Sequence, residues 1–530
     1  MSEPRDPASA IARRELLAAI GRRAGGAAMW RAMAALGVAG SSSYAGPVDL
    51  QGAPRGTRVL VLGAGMAGLV AAYELRRAGY AVTVLEYNRR AGGRSWTLRG
   101  GDEYVELGGE RQRCEFETGL YLNPGPWRIP YHHHGVLDYA HRLGVPLEPF
   151  IQVNHNAWLH SKRAFGGRPQ RFRQVQADFN GQVAELLAKA VDRHALDQAV
   201  TAEDREKLRA ALRHWGALDA AGRYTRGEAS SQRRGYEVAP GGGLMPAPVP
   251  SQPVALDALV DSGLWRHLTV GHEEEFQTTL FQPVGGMDRI AQALYREVAD
   301  LVRLGVRVTA IGQDEQGVRV RYLAADGPGS IAADWCVCTI PLSVLGQLEL
   351  EVSAPMRAAI EGTAYESSVK VGLQFRRRFW EQDERIYGGI SYTDLPISLI
   401  GYPNSGYGQP GRGVLLGAYI WGPNAYEFTA LPPAERVRLA LRYGAMIHPQ
   451  YEREFEHGIA VAWHRVPWTL GCFAAWSDEA RAAHYDNLCR IDGRVVLAGE
   501  HASRLPAWQE GAVLSALDAV TRLHARIKGA

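Results

Sequence analysis

Residues 58 to 94 constrain this 530-residue chain more than any other stretch. Arg58-Val59-Leu60-Val61-Leu62 is a short apolar run of the kind that fills a buried parallel strand, and it opens directly into Gly63-Ala64-Gly65-Met66-Ala67-Gly68. Leu69 to Ala78 has helical composition, and Ala81-Val82-Thr83-Val84-Leu85 is a second strand ending at Glu86. Three glycines at this spacing permit a tight turn, let backbone amides approach a pyrophosphate, and allow the helix to pack close to the strand. A carboxylate roughly 20 residues further on accepts hydrogen bonds from ribose hydroxyls. The pattern predicts a βαβ unit that binds an adenine dinucleotide through Gly63, Gly65, Met66, Ala67, Gly68 and Glu86.

The residues after Glu86 bear on which dinucleotide. In Arg89-Arg90-Ala91-Gly92-Gly93-Arg94 two glycines leave backbone amides accessible, and Arg94 adds a fixed charge against a diphosphate. This segment resembles the Gly-Gly-Arg of the flavin amine oxidase superfamily, which favours FAD over NAD. Phe281-Gln282-Pro283-Val284-Gly285-Gly286-Met287 resembles the family's return into the FAD domain, and Val306-Arg307-Val308 its adenine-side strand. Leu107-Gly108-Gly109-Glu110-Arg111 is similar to a flavin-contact segment. Arg494 to Glu500, followed by Trp508-Gln509-Glu510-Gly511-Ala512, resembles the closing FAD signature. The resemblance covers nearly everything after residue 55. It implies noncovalent FAD, held additionally by Gly93, Arg94, Gly108, Gly109, Glu110, Arg111, Val308, Gly499, Glu500, Trp508, Gly511 and Ala512.

The implied fold class is α/β, a Rossmann-like FAD-binding domain interleaved with an α+β substrate-binding domain and a helical subdomain, of the glutathione-reductase/amine-oxidase type. Residues 55-112, 282-345 and 490-526 are assigned to the FAD-binding domain, and 113-281 and 346-489 to the substrate-binding domain, with a helical region at 174-222. Within that region Asp178, Glu185 and Asp192 are expected on one polar helix face. A Gly-, Ser- and Arg-rich loop is expected from Arg223 to Pro250.

Residues 1-54 form an N-terminal helical or leader-like segment. Arg13-Arg14 before a weakly apolar stretch resembles a twin-arginine export leader, but Arg31 interrupts the stretch and no clean cleavage site follows. A retained helix in a cytoplasmic protein is therefore expected, the alternative being a periplasmic or secreted one. Lys plus Arg at 59 against Asp plus Glu at 56 gives a net charge of +3, which implies no nucleic-acid or acidic-membrane partner. No run reaches the roughly 18 apolar residues of a membrane span. Five cysteines form neither a disulfide framework nor a metal spacing. His132-His133-His134 is expected to hold no metal, because adjacent side chains diverge and no nearby acid or cysteine completes a site.

Asn123-Pro124-Gly125-Pro126-Trp127-Arg128-Ile129-Pro130 resembles the segment of L-amino-acid oxidases and amino-acid 2-monooxygenases whose arginine forks onto the substrate carboxylate. Arg128 is the candidate anchor and Arg111 its competitor. By the same resemblance Lys370 lies below the flavin, Tyr402 assists carboxylate binding, and Phe473 with Trp508 forms an aromatic cage. Cys472 occupies the position where mammalian-type monoamine oxidases attach the flavin, but is expected to be unattached here. The activity implied is FAD-dependent oxidation of an L-α-amino acid, large and neutral or broad in range, by O2 in a homodimer or larger oligomer. Products would be a 2-oxo acid, ammonia and hydrogen peroxide. The alternatives are an L-amino-acid 2-monooxygenase yielding an amide, an amine oxidase without carboxylate recognition, and a flavoprotein that has lost catalysis.

Overall fold

The computed structural model describes residues 43–193, 195 and 201–529. Residues 1–42, most of the leader-like segment, lie outside the described residues.

Alternation along the first strand sets the layering. Val59 and Val61 face one core and Leu60 and Leu62 the other, so both faces of the strand are covered, as its continuous apolar sequence requires. The Arg58–Leu62 strand pairs in parallel with Ala81–Glu86 on one side and Trp335–Cys338 on the other. Val302–Leu304 extends the sheet beyond Ala81–Glu86, and Val495–Leu497 with Ile491–Asp492 extends it beyond Trp335–Cys338. Helices Met66–Ala78, Arg289–Val298 and Gln509–Lys528 contribute to the core on one face. Arg307–Gln313, Val318–Ala324, Gly327–Ala333 and Glu349–Leu350 form a separate sheet, whose apolar residues join the core on the other face. Parallel strands bring their carboxyl ends to one edge, where open α/β sheets bind ligands. Gly63, Glu86, Thr339 and Gly499 all lie at that edge.

A second, seven-stranded sheet runs in the order Gln170–Arg171, Trp158–His160, Ile390–Thr393, Leu399–Gly401, Gly413–Trp421, Ser368–Phe375, Phe455–Ala462. Ser368–Phe375 is buried along its whole length, and it carries Lys370. A small three-stranded sheet of Ile129–Pro130, Leu280–Pro283 and Leu147–Phe150 joins distant parts of the chain through the pairs Leu280–Pro130 and Leu280–Phe150.

The helical region is two helices, Phe172–Asp192 and Ala202–Gly216. The expected polar face does not hold. Asp178 is fully buried and binds Arg234 and the Tyr224 hydroxyl, while Glu185 accepts the Tyr224 amide. Asp178 and Glu185 thus meet donors from residues 224–234 at an interface, while Asp192 stays exposed and pairs with Arg209. The Arg223 to Pro250 stretch contains regular structure, a helix at Glu228–Arg234 and a two-stranded pair of Tyr236–Val238 with Val249–Pro250. Among the described residues no helix is long and apolar enough to cross a membrane.

Candidate active site

A single cavity of about 770 Å³ runs from the glycine turn to the seven-stranded sheet. It lies in the upper part of the roughly 300–1,000 Å³ range of ligand sites. Gly63, Gly65, Met66, Ala67 and Glu86 line one end. Gly63 has φ +100°, and a Cβ there would lie 2.5 Å from Thr339 Oγ1; a Cβ on Gly68 would lie 1.9 Å from Gly63 O. Only glycine fits either place. The Glu86 carboxylate accepts hydrogen bonds from the Ala64 amide (2.7 Å) and from the Asn88 amide (2.8 Å).

Further along, Gly93 and Arg94 line the wall, and Arg94 donates to Glu500 Oε1 and to the Cys472 carbonyl, each at 2.7 Å. The 20-residue helix Gln509–Lys528 begins at the cavity, to which Trp508, Gln509 and Ala512 contribute. Gln509 Oε1 is buried there without a hydrogen-bond partner. Two non-glycine residues on the wall, Leu470 and Ala507, have left-handed backbone (φ +50° and +71°), a conformation that clusters where surrounding structure fixes a site.

Arg128 lines the far end. Its guanidinium carbon sits 4.5 Å from the Phe276 ring centre, 5.5 Å from Trp127, 5.7 Å from Trp508 and 5.9 Å from Phe150. Its Nε is buried with no hydrogen-bond partner, and among the described residues no carboxylate forms an ion pair with it. Burial lowers its pKa from the ordinary value. A buried cation without a hydrogen-bonded counterion is expensive.

Lys370 lies just behind this wall. Its Nζ donates to Gly125 O (2.6 Å) and Asn123 O (3.3 Å) and sits 4.2 Å from the Tyr419 ring centre. Burial pulls its pKa down to about 7, with the Arg128 charge acting in the same direction.

A family model described as flavin containing amine oxidoreductase matches residues 66–524. The chain belongs to this family. The amine oxidoreductase is 29% identical over 472 residues to an L-amino-acid oxidase of Bothrops pauloensis, covering 87% of this chain and 88% of that one. It is 28% identical over 478 residues to an L-amino-acid oxidase of Siganus canaliculatus, covering 88% and 85%. In fold it is similar to cyclohexylamine oxidase from Brevibacterium oxydans IH-35A, with TM-score 0.58, 17% identity, and coverage of 89% of this chain and 100% of the other. Putrescine oxidase bound to putrescine gives TM-score 0.57 at 17% identity, with coverage of 89% and 99%.

The oxidoreductase is FAD-dependent, and its residues fit the cofactor. The glycine cradle leaves no room for a Cβ, Glu86 stands at the end of the second strand, and the orphaned Gln509 oxygen awaits a donor inside the cavity. Val308, Gly499, Glu500, Phe473 and Trp508 line the same cavity; Gly68 and Gly511 lie behind it as packing positions.

Two of the residue sets expected at the site are corrected. Gly108, Gly109, Glu110 and Arg111 do not reach the cavity. Both glycines have left-handed φ (+98° and +87°) and turn the chain between the paired strands Glu103–Val105 and Arg111–Arg113, leaving an exposed hairpin. Arg111 pairs at the surface with Glu103 (2.9 Å), which removes it as a carboxylate anchor. Tyr402 is likewise absent from the cavity wall: its hydroxyl shares hydrogen bonds with Ser391 Oγ and His448 Nε2, each 2.7 Å, inside a separate core. It is the neighbouring Gly401 that borders the Trp127 ring, 2.2 Å from where its Cβ would stand.

Trp127, Phe276, Trp468 and Gln509 also line the cavity and were not singled out as site residues by the sequence. Trp127 had a signal, since it directly precedes Arg128 in the recognised segment. Phe276 had none. The expectation that His132 and His133 diverge with no acid at hand also fails, because Glu275, far away in sequence, meets both rings at 3.4 and 3.0 Å.

Proposed function

We propose that this protein is an L-amino-acid oxidase that converts L-α-amino acids with large neutral side chains into 2-oxo acids, ammonia and hydrogen peroxide. The observation that carries this reading is the Arg128 guanidinium, buried among aromatic rings with no carboxylate of its own. An amine substrate without a carboxylate would leave that guanidinium with no hydrogen-bonded counterion, Glu275 and Glu273 acting on it only through their charge from further off. An α-amino acid satisfies it with two parallel charge-assisted hydrogen bonds. Relatives that bear the name L-amino-acid oxidase over most of the chain support the same reading.

Bound FAD supplies the hydride acceptor and the route for electrons to O2. The protein supplies geometry. The glycine turn, Glu86, Arg94 and the start of the Gln509–Lys528 helix hold the cofactor, and Arg128 fixes the substrate carboxylate. Phe473 and Trp508 flank the amine, and their apolar surroundings favour the neutral form from which Cα can lose hydride. Lys370 stands behind Gly125 with its Nζ near neutrality in pKa, so at physiological pH it is poised to hold or pass a proton. Water then hydrolyses the imino acid. Cys472 lies on the wall as a thiol whose pKa burial raises, and a protonated thiol is a poor nucleophile, in keeping with noncovalent FAD.

The test is mass spectrometry of products after incubating the FAD-loaded protein in air with single L-amino acids, with phenethylamine as the carboxylate-free control. A 2-oxo acid with equimolar peroxide is expected. A carboxamide would make the protein a monooxygenase, and turnover of phenethylamine alone would remove the carboxylate anchor.

A further inference from the structure

His132 and His133 lie in the tight turn between the Ile129–Pro130 strand and the His134–Arg142 helix, where His133 has φ −78° and ψ 67°. That turn brings the two rings to a centroid separation of 4.9 Å at 87° to one another. Glu275 reaches them from the short Glu274–Phe276 turn. Its Oε1 is 3.4 Å from His132 Nε2 and its Oε2 is 3.0 Å from His133 Nε2. One donor atom from each of the three residues falls within 4.8 Å of the others. The side chains of His132 and His133 are 10% and 2% exposed, whereas Glu275 is 29% exposed, which gives the cluster an open side toward water.

We propose that His132, His133 and Glu275 form a binding site for one borderline-soft divalent transition-metal ion of the Zn2+ class, which ties the Phe276 segment to the wall of the cavity. Tetrahedral zinc with ligands at about 2.0–2.1 Å sets its donor atoms roughly 3.3 Å apart. The contacts of 3.4 and 3.0 Å, each to one oxygen of the Glu275 carboxylate, bracket that edge, and the three donor atoms lie within 4.8 Å of one another. Two imidazoles and a carboxylate are a zinc donor set, water filling the fourth position; Mg2+ and Ca2+ prefer all-oxygen sites. His132 Nδ1 is buried with no hydrogen-bond partner, so the protein itself leaves this ring incompletely satisfied.

The location gives the ion a consequence. Phe276 follows Glu275 directly, lines the cavity, and stacks against Arg128 at 4.5 Å. His133 packs edge-on against Trp508 with centroids 5.0 Å apart. A metal bridging Glu275 to the two histidines therefore fixes one wall of the substrate end.

The experiment is isothermal titration of Zn2+, with Mg2+ as control, into untagged FAD-loaded protein and into the variants Glu275→Gln, Glu275→Ala and His132→Asn. Flavin absorbance reports that each variant is folded. Hydrogen exchange of residues 272–280 is followed with and without Zn2+. Expected are one Zn2+ per chain, at least about tenfold weaker binding in each variant, no heat with Mg2+, and Zn2+-dependent slowing of exchange only in the unaltered protein. Absence of Zn2+ binding, or equal binding in the variants, overturns the site. Binding without slower exchange overturns the tie to Phe276. Neither readout depends on which amine is oxidised.

Discussion

The Arg128 guanidinium carbon lies 4.5 Å from the Phe276 ring centre, and these residues come from segments joined by the Leu280–Pro130 strand pair. The guanidinium and its aromatic cover are thus placed by one piece of backbone pairing. Arg128→Met should lower kcat/KM for a good L-amino-acid substrate by about 30- to 1,000-fold, the effect of about 2–4 kcal/mol from losing a shielded charge-assisted pair. Arg128→Lys should recover only part, because an ammonium lacks the two-pronged fork. Steady-state kinetics decide this, and a loss under threefold for Arg128→Met would remove the residue from substrate binding.

The third glycine of the turn is a packing position. A Cβ on Gly68 would lie 1.9 Å from Gly63 O, a backbone atom that cannot step aside without opening the turn. Gly68→Ala is expected to yield protein largely without flavin, read from the ratio of absorbance near the flavin band to that of the aromatic residues. Gly79→Ala, at a helix end with open space around the Cβ but φ +98°, should retain flavin and lose only a modest amount of stability, about 1 kcal/mol.

The cofactor end was legible in the sequence because its parts are contiguous: strand, glycine turn, helix, strand and Glu86 occupy one short stretch. The substrate end is assembled from residues far apart in the chain. Arg128 was readable because a local segment carries it, whereas Phe276 and Glu275 meet it and its neighbours only through strand pairing that no local pattern encodes. Tyr402 failed for a different reason. Successive residues at the end of a strand point to opposite sides, so a one-position difference sends the tyrosine into the core with His448 and leaves Gly401 beside Trp127. The Leu107 to Arg111 match failed because a Gly-Gly pair serves a surface hairpin as well as a cofactor contact.

Arg234 and Asp178, with side chains 4% and 0% exposed, form a buried pair that also holds Tyr224 and the Val254 amide. Removing one partner leaves the other charged and desolvated. Asp178→Ala should destabilise the 172–262 region by about 3–5 kcal/mol. Thermal unfolding and protease susceptibility should reveal the loss, with the flavin end less affected; an unchanged melting curve would sink the argument.

Lys370 couples the site to pH. Burial lowers its pKa from 10.5 to about 7 in the folded protein. Between those values the unfolded chain binds the extra proton and the folded one does not, so stability from this residue rises as pH increases from about 7 toward 10.5. Below pH 7 the folded state carries the full cost of a buried ammonium. Lys370→Met should therefore raise the melting temperature most at pH 6, with the gain shrinking as pH rises. A gain that grows with pH would contradict the burial argument.

Side-chain preference follows from which charges the cavity can answer. The carboxylates lining it, among the described residues, are Glu86 and Glu500, and both are already engaged, the first with the Ala64 and Asn88 amides and the second with Arg94. A substrate ammonium or guanidinium in the pocket would stay unpaired beside Arg128, against like charge and among Trp127, Tyr419 and Trp421. Those rings instead offer apolar contact to a large neutral side chain. L-Phe or L-Leu should therefore exceed L-Lys and L-Arg in kcat/KM by at least about 100-fold, a difference near 3 kcal/mol. L-Glu has a different problem, since Arg128 can satisfy only one of its two carboxylates. Comparable turnover of L-Lys and L-Phe would mean that an acid outside the cavity lining swings in to pair the basic substrate, and the acid placed to do so is Glu273, which with Glu275 acts on Arg128 through its charge.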